Sequence, residues 1–268
     1  MKDKIEINNL CFSYNEDEEI LKDISLSFDN KSTAIIGQNG AGKTTFVKLL
    51  KGLLKPVTGT INIKDIDTKT STVAQLAKHI GLVFQNPNDQ IFKNKVIDEV
   101  MFGPLNIGQS IEKAKSNSIE ALNLVGLIEH KDENPYDLSL SERKLITIAS
   151  IIAMDTDILI FDEPTIAQDH YGKEKIKAII KDLSRQGKLI ITITHDMDFV
   201  AETFERTLVF AEGKVLLDGE TREVFSNKDL LEKAYLEAPN VTQLCEKLVI
   251  EDTLLTVEEF ISFMNQNE

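Results

Sequence analysis

The chain has 268 residues, of which 28% are charged, and a formal net charge of −14. A chain of this length forms one large domain, or one domain with an appendage, and needs neither disulfides nor metals for stability. The acidic balance offers no net basic field to attract a nucleic-acid backbone, no apolar run approaches the ~18 residues of a membrane span, and the two widely separated cysteines, Cys11 and Cys245, are expected to be reduced residues of a cytosolic protein.

The amino-terminal region alternates apolar and polar residues and is rich in β-branched side chains, which predicts a meander of strands. The predicted strands are Ile5–Tyr14, Ile20–Phe28 and Thr33–Ile36, with a hairpin turn at Asp29–Lys31. A turn at Lys55–Gly59 precedes a further predicted strand at Thr60–Ile66, and the apolar run Ile80–Phe84 predicts a short buried strand.

The middle of the chain shows helical periodicity in residues 110–126 and 139–153. The apolar runs Ile158–Phe161 and Leu189–Ile193 are typical of central parallel strands, and a helix at 170–184 between them completes a strand-helix-strand unit. From about Asp218 onward the pattern favours short helices, at 220–226, 227–236, 241–248 and 256–265, which predicts an appended helical segment.

Residues 37–45 read Gly-Gln-Asn-Gly-Ala-Gly-Lys-Thr-Thr and fit the phosphate-binding pattern G-x-x-x-x-G-K-[ST]. The glycines let the backbone approach a phosphate closely, while the loop amides and the start of the following helix face the anion. Lys43 is expected to reach the β- and γ-phosphates, and Thr44 to place its hydroxyl on Mg²⁺. The predicted nucleotide-binding residues of this loop are Asn39, Gly40, Ala41, Gly42, Lys43, Thr44 and Thr45.

Two carboxylates, Asp162 and Glu163, directly follow an apolar strand. A parallel strand delivers its last residues to the carboxyl edge of the sheet, where the phosphate loop also lies. Asp162 is therefore predicted to bind Mg²⁺, and Glu163 to polarise the water that attacks the γ-phosphate. Acidic residues are also common in ordinary loops, so the prediction depends on the phosphate loop upstream.

Three further residues are candidates for contact with the nucleotide, its cation or the attacking water. His195 and Gln85 each follow a predicted strand, so His195 could hydrogen-bond the γ-phosphate and Gln85 could contact Mg²⁺ or the attacking water. Tyr14 precedes the phosphate loop and could offer a ring face to adenine, although a tyrosine of the core or of an edge strand would have the same spacing.

Taken together, these motifs resemble the ATP-binding subunits of ABC transporters over roughly residues 1–217. The resemblance extends to the ATPases of energy-coupling factor (ECF) importers through residues 83–92, 98–104, 222–225 and 256–260. It implies an α/β fold with a RecA-like P-loop core, an antiparallel β subdomain, a helical signature subdomain at about 86–155, and a helical extension at 218–268 that serves in dimerisation. It is carried by Tyr14, Gly37–Thr45, Gln85, Leu138–Glu142, Asp162–Glu163, Asp169 and His195.

The resemblance also implies a head-to-tail dimer in which each ATP lies between one chain's phosphate loop and the other chain's signature motif. The family signature is Leu-Ser-Gly-Gly-Gln, whereas this chain has Leu138-Ser139-Leu140-Ser141-Glu142. Ser139 can still donate a hydrogen bond to the nucleotide, but Leu140 adds bulk and Glu142 adds negative charge near the triphosphate. The loop Ile166–Asp169 is irregular as well, although Asp169 remains.

The predicted function is the ATP-hydrolysing subunit of an ECF-type importer for a vitamin or a transition-metal ion, with ATP and Mg²⁺ as cofactors. Its predicted partners are a different ABC ATPase with an intact signature, a transmembrane coupling subunit and a substrate-binding membrane subunit, with no nucleic acid. The segment Gln85–Phe92 and the helix Val96–Phe102 are expected to contact the coupling subunit. The first residues lack the apolar core of a secretory signal, and the predicted location is peripheral, on the cytoplasmic face of the cell membrane.

Two other functions stay open on the sequence. One is an ATP-binding regulatory subunit with little turnover of its own, which the altered signature favours. The other is a soluble ABC-type ATPase outside transport, although such proteins commonly carry a coiled-coil insertion or two cassettes in one chain.

Overall fold

The computed structural model describes residues 4–15 and 18–266, so the predicted limits at residues 1 and 268 lie outside the described part. Within that part the strands are β1 (Ile5–Asn15), β2 (Glu18–Phe28), β3 (Thr33–Gly37), β4 (Thr58–Ile63), β5 (Ile66–Asp67), β6 (Ile80–Val83), β7 (Ile158–Asp162), β8 (Leu189–Ile193), β9 (Arg206–Ala211) and β10 (Lys214–Glu220). The helices are α1 (Lys43–Leu50), α2 (Val73–Leu76), α3 (Val96–Asn106), α4 (Ile111–Leu124), α5 (Leu140–Ala153), α6 (His170–Arg185), α7 (Met197–Thr203), α8 (Thr221–Ser226), α9 (Lys228–Lys233), α10 (Asn240–Lys247) and α11 (Val257–Gln266).

The strands form two sheets. An antiparallel sheet has the order β2-β1-β4-β5, and a six-stranded sheet has the order β10-β9-β3-β8-β7-β6. In the larger sheet the strands from β9 to β6 are parallel, and β10 pairs antiparallel with β9. The apolar runs of β3, β6 and β8 are wholly buried, as expected for parallel strands covered on both faces.

The larger sheet separates two hydrophobic cores. On one face α1 lies between the two sheets, and Phe46 of α1 contacts Phe28 of β2 and Phe210 of β9, with ring centroids 6.4 and 5.2 Å apart. On the other face the core is built by the helices α3 to α7 and by α8 and α9 of the tail. The phosphate-loop helix is thereby fixed between two sheets, which holds its first turn at the edge of the larger one.

The predicted hairpin turn at Asp29–Lys31 is wrong. The backbone N–H of Lys31 donates to the Asp29 carboxylate at 2.8 Å, so a local turn is present. However, Phe28 ends β2 in the antiparallel sheet and Thr33 begins β3 in the other sheet. A turn signal reports a change of chain direction and does not report which strands pair on either side of it.

The predicted strand Thr60–Ile66 is also wrong in its limits. The strand β4 runs from Thr58 to Ile63, and the chain then reverses through Lys64 and Asp65, both with positive φ, so that Ile66 pairs with Ile63. Positive φ at two successive residues is the geometry of a tight hairpin turn, and here it is adopted without the usual Asn-Gly sequence.

The strands β9 and β10 were not predicted, although β9 lies beside β3 in the larger sheet. Further along, the prediction of short helices after Asp218 is confirmed by α8 to α11. The strand β10 ends at Glu220, beyond the domain limit predicted at residue 217. Cys11 and Cys245 are free cysteines, as predicted, and no helix in the described ranges is long and apolar enough to cross a membrane.

Candidate active site

The predicted motifs meet because they follow four adjacent strands. The phosphate loop follows β3, and His195 follows β8. Asp162 ends β7 and Glu163 comes directly after it, and Gln85 follows β6. The order of these strands in the sheet is β3-β8-β7-β6. The carboxyl ends of parallel strands share one edge, which is where ligands bind in open α/β sheets. A cleft of about 480 Å³ opens at this edge, lined by Tyr14, Ile20, Asn39, Gly40, Ala41, Gly42, Lys43, Thr44, Thr45, Gln85, Asp162, Glu163, Ile166, Ile193 and His195.

The phosphate loop depends on glycine at two of its positions. Gly37 has φ +153°, and a Cβ there would lie 2.3 Å from the Phe210 carbonyl oxygen. Gly42 has φ +98° immediately before α1, and a Cβ there would lie 2.6 Å from Leu21 Cδ2. A larger residue at Gly37 would collide with the backbone of β9, and one at Gly42 would be strained by the left-handed φ, so the sequence pattern is required by backbone geometry as well as by phosphate binding.

The side chain of Lys43 folds back onto the phosphate loop and binds two of its carbonyl oxygens. Its Nζ donates to the carbonyl oxygens of Gly37 at 2.6 Å and Gln38 at 2.9 Å, and burial lowers the pKa of this ammonium, while Glu163 and Asp162 act in the opposite direction. The ammonium, the loop amides and the first turn of α1 all face the cleft, and together they form an anion site of the kind that holds a triphosphate.

Tyr14 lies at the mouth of the cleft. Its ring is 55% exposed and meets Phe12 edge to face at 5.0 Å, and its hydroxyl is 3.3 Å from Thr45 Oγ1. The tyrosine is thus neither a core residue nor far from the phosphate loop, and it leaves an aromatic surface on which a base could stack.

Glu163 is held in an unusual environment. Its φ is +48°, its backbone N–H donates to Ile193 O at 2.9 Å, and its side chain is buried. Burial raises the pKa of Glu163 to about 7; the backbone N–H of His195 opposes this shift and the neighbouring Asp162 adds to it. A carboxylate with a pKa near neutrality is well matched to accept a proton from water.

His195 faces the same carboxyl group. Its Nε2 lies 3.4 Å from Glu163 Oε1, and its backbone N–H donates to Glu163 Oε2, also at 3.4 Å. Burial, and then the Lys43 charge, lower the pKa of His195, so the imidazole is neutral at physiological pH. A neutral imidazole can donate a hydrogen bond to a phosphate oxygen without adding a charge to the site.

We expect Glu163→Gln to stabilise the nucleotide-free protein above neutral pH. Since the pKa of Glu163 is raised from 4.5 to about 7, its contribution to stability is fully present below about pH 4.5 and is lost as the pH rises through 7. Glutamine stays neutral, so urea unfolding at pH 8.5 should show a gain of about 3 kcal/mol in the free energy of unfolding. The gain should shrink on lowering the pH to 5.5, and a variant no more stable than wild type at pH 8.5 would contradict the assigned environment.

The predicted cation ligands also fit their role. Thr44, Gln85 and Asp162 line the cleft together and offer hydroxyl, amide and carboxylate oxygens. These are the hard donors that Mg²⁺ prefers, and Mg²⁺ is commonly held by one or two carboxylates together with substrate phosphates. In the part of the chain that the structure describes, no cluster of three His, Cys, Asp or Glu side chains could hold a metal by itself. Asp162 supplies a single carboxylate among these three residues, so they suit a cation that is also held by the phosphates of a nucleotide.

Lys144 is a residue of this region that sequence reasoning missed. Its Nζ donates to the carbonyl oxygens of Phe84, Gln85 and Asp162, and burial lowers its pKa to about 8, while Asp162 and then Glu163 act to raise it. The available signal was helical spacing: Lys144 stands four positions before Ile148, in a stretch of α5 that is mostly apolar and buried.

Ser139, the predicted ligand from the signature motif, does not line the cleft of its own chain. It is the N-cap of α5, where its Oγ donates to Glu142 Oε2 at 2.6 Å and accepts from the Glu142 N–H at 3.3 Å. The hydrogen bonds from the Ser139 side chain and backbone lower the pKa of Glu142. The Ser139 hydroxyl is thus engaged by the carboxylate that replaces the family glutamine.

The two irregular segments of the sequence touch each other. Ser141 Oγ donates to Gln168 Oε1 at 2.9 Å, and Gln168 Nε2 donates to Ser141 O at 3.2 Å. Ala167 adopts φ +62°, a left-handed conformation that usually selects glycine, and Asp169 caps α6 through the Gly172 N–H. These hydrogen bonds tie the start of the signature helix to the loop before α6 within one chain.

A phosphate loop, two carboxylates and a histidine at adjacent strand ends define a P-loop ATPase. Comparison with known proteins narrows the class, since the profile of the family described as "ABC transporter" matches residues 21–166. The chain belongs to this family, binds ATP and is an ATPase.

Individual relatives and a solved structure support the same family assignment. Two proteins of Caldanaerobacter subterraneus subsp. tengcongensis named energy-coupling factor transporter ATP-binding proteins are similar over nearly their whole length. EcfA1 is 38% identical over 272 residues, covering 97% of this chain and 98% of the relative, and EcfA2 is 39% identical over 269 residues, covering 95% and 94%. The structure of cbiO1 from Clostridium perfringens, described as part of the ABC transporter complex cbiONQ, superposes with a TM-score of 0.78 at 31% identity, covering 92% of this chain and all of that one.

Proposed function

We propose that this chain is the ATP-hydrolysing subunit of an ECF-type importer, in which it powers uptake of a vitamin or transition-metal ion through membrane partners. The observation that carries the proposal is that the residues predicted to bind phosphate and to support hydrolysis line one cleft. The names of relatives with nearly full-length similarity support the ECF type. The absence of a membrane-spanning helix in residues 4–15 and 18–266 is compatible with peripheral attachment at the cytoplasmic face.

We infer a role for each of these residues from its position in the cleft. The loop amides and Lys43 bind the β- and γ-phosphates, and Tyr14 stacks on the adenine. Glu163 orients the attacking water and accepts its proton, and His195 holds the γ-phosphate in line with that water. Thr44, Gln85 and Asp162 would hold Mg²⁺, which neutralises charge on the phosphate oxygens when it is bound.

An exposed aromatic patch, which follows Gln85 along the chain, is the proposed contact with the transmembrane coupling subunit. The patch consists of Phe92, Lys93 and Phe102; the rings meet edge to face at 4.6 Å, and the Lys93 ammonium lies 5.1 and 4.7 Å from their centroids. Glu99 is buried and accepts the backbone N–H groups of Phe92 and Lys93, which fixes the patch on α3. Exposed aromatic surface held rigidly is typical of a protein interface.

Not every residue of the predicted contact belongs to this patch. Ile91 and Val96 are 3% and 0% exposed and belong to the chain's own core, whereas Phe92 and Phe102 are 54% and 38% exposed. The proposal therefore concerns only the exposed members.

We expect Phe92→Glu to leave folding and ATP binding unchanged and to reduce capture of membrane subunits. A charge on the patch cannot be desolvated against an apolar partner helix without loss of affinity. The measurement is affinity purification of the tagged full chain from detergent-solubilised membranes, with partners identified by mass spectrometry. Val57→Glu, at an equally exposed apolar residue in another region, is the matched control.

The same purification tests the proposed function. Recovery of membrane subunits and of a second ATPase with wild type and Val57→Glu, and loss of the membrane subunits alone with Phe92→Glu, would support an importer. A wild-type chain that recovers no membrane protein would favour the soluble ATPase instead. A captured substrate-binding membrane subunit would identify the transported compound.

The tail is proposed to contribute to dimerisation. The helices α8 and α11 are joined by Arg222 and Glu259, whose closest nitrogen–oxygen pair is 2.6 Å apart, and α11 exposes Ile261 and Met264. These apolar side chains on a helix anchored by an ion pair suit a contact with a second ATPase.

A regulatory subunit with low turnover is the second candidate. It is favoured by the capping box of Ser139 and Glu142, which occupies the hydroxyl predicted to contact the partner's nucleotide. That contact belongs to the opposite site, so the cleft of this chain remains equipped for hydrolysis.

A further inference from the structure

Lys144 joins three segments of the chain through one atom. It lies in α5, its side chain is 1% exposed, and its Nζ donates to Phe84 O at 2.8 Å, Gln85 O at 2.9 Å and Asp162 O at 3.1 Å. An ammonium has three donors, and all three are used by these backbone carbonyls.

These carbonyls lie where the pairing between β6 and β7 has ended, although Asp162 still pairs with Ile193 of β8. Pairing between β6 and β7 ends at Val83 and Phe161, so the following backbone has no ladder partner between these two strands. Buried carbonyl groups require a hydrogen-bond partner, and here the lysine of a helix supplies it. The β7 exit is held on its other side by β8, where Asp162 pairs with Ile193, so the link between the β6 exit and the β7 exit is supplied by α5 through Lys144.

We propose that Lys144 is a positioning residue for the bound cation and nucleotide, because its ammonium fixes the backbone that carries Gln85 and Asp162. Both side chains line the cleft, and they come from different strands. Mg²⁺ demands nearly ideal octahedral geometry, so two ligands on separate segments must be held in register. The inference relies on the ATPase site and is independent of the importer assignment.

The test uses the full-length chain with Lys144→Met, which keeps much of the side-chain length and removes the donors. Binding of the non-hydrolysable analogue AMP-PNP is measured by titration in EDTA and again in Mg²⁺. Affinity in EDTA should stay within about twofold of wild type because the phosphate loop is untouched, and the gain in affinity on adding Mg²⁺ should fall by about tenfold, as for other groups that orient metal ligands. Amide hydrogen exchange of residues 84–90 should accelerate.

Lys51→Met is the matched control. Lys51 is also largely buried, and burial lowers its pKa to about 8, but its ammonium donates to Ile80 O at the opposite end of β6. This variant should lose thermal stability without changing the Mg²⁺-dependent gain.

If Lys144→Met does not fold, Lys144→Gln, whose amide retains two donors, provides the same comparison with a smaller loss. A wild-type Mg²⁺-dependent gain in a folded Lys144 variant would overturn the proposal. An equal loss of affinity in EDTA and in Mg²⁺ would also overturn the proposal, because a lysine with a purely structural role would affect both conditions alike.

Discussion

Glu163→Gln is expected to preserve ATP binding and to lower turnover at the site this chain contributes by about 10²–10⁴-fold. Glutamine keeps the size of a buried side chain but cannot accept a proton from water. ATP affinity should remain because Lys43 and the loop amides, which bind the phosphates, do not depend on the carboxylate. The raised pKa of Glu163 shows an environment suited to proton transfer, so its replacement should affect the chemical step.

The measurement requires the assembled complex in a background where the partner's own glutamate is also replaced, so that only one site can turn over. Phosphate release and ATP binding are then followed with and without Glu163→Gln. Glu202→Gln, a glutamate outside the cleft that pairs with Lys177, is the control and should retain turnover. If the Glu163→Gln variant turned over ATP at the wild-type rate, Glu163 would have no catalytic role.

The second large effect concerns the asymmetry of the two ATP sites. We predict that this chain pairs with a different ATPase carrying an intact Leu-Ser-Gly-Gly-Gln motif. The efficient site would combine the cleft of this chain with the partner's signature, and the other site would face Leu140 and Glu142. Leu140 is 40% exposed at the start of α5, and Glu142 holds the Ser139 hydroxyl at 2.6 Å, so this second site offers the nucleotide a bulky, negatively charged surface.

Single glutamate-to-glutamine variants in each ATPase of the complex distinguish the models. Glu163→Gln here should abolish most activity, whereas the equivalent change in the partner should matter much less. Equal losses, or an active complex containing only this ATPase, would reject the asymmetric arrangement. A complementary variant, Glu142→Gln, should raise the turnover of the slow site because it removes a negative charge beside the triphosphate.

The site residues could be predicted from local sequence patterns because they lie in a contiguous loop or at the ends of adjacent parallel strands. The phosphate loop is a contiguous motif whose glycines are required by the backbone, as Gly37 and Gly42 demonstrate. Asp162, Glu163 and His195 each directly follow an apolar strand, and such strands deliver their next residues to one edge of a parallel sheet. The sequence therefore determined the polar residues that line the cleft, the class of reaction and the helical character of the tail.

Pairing partners were decided only by the tertiary structure. The turn at Asp29–Lys31 is locally present, yet it connects two sheets, and β9 takes a place beside β3 although it comes late in the chain. The side-by-side order β3-β8-β7-β6 has the same basis, since contacts between distant segments follow from burial of shared surfaces rather than from adjacent residues.

Lys144 and Gln168 show the same limit within the site. In the sequence Lys144 is a lysine in a helix and Gln168 is a departure from a family pattern, but in the structure one holds three carbonyls and the other binds Ser141. Local propensity fixes the backbone of a segment, whereas the partner of a buried polar group depends on which segments the fold brings together. For this reason the sequence determined which residues are candidates for catalysis, and only the tertiary structure decided what holds them in place.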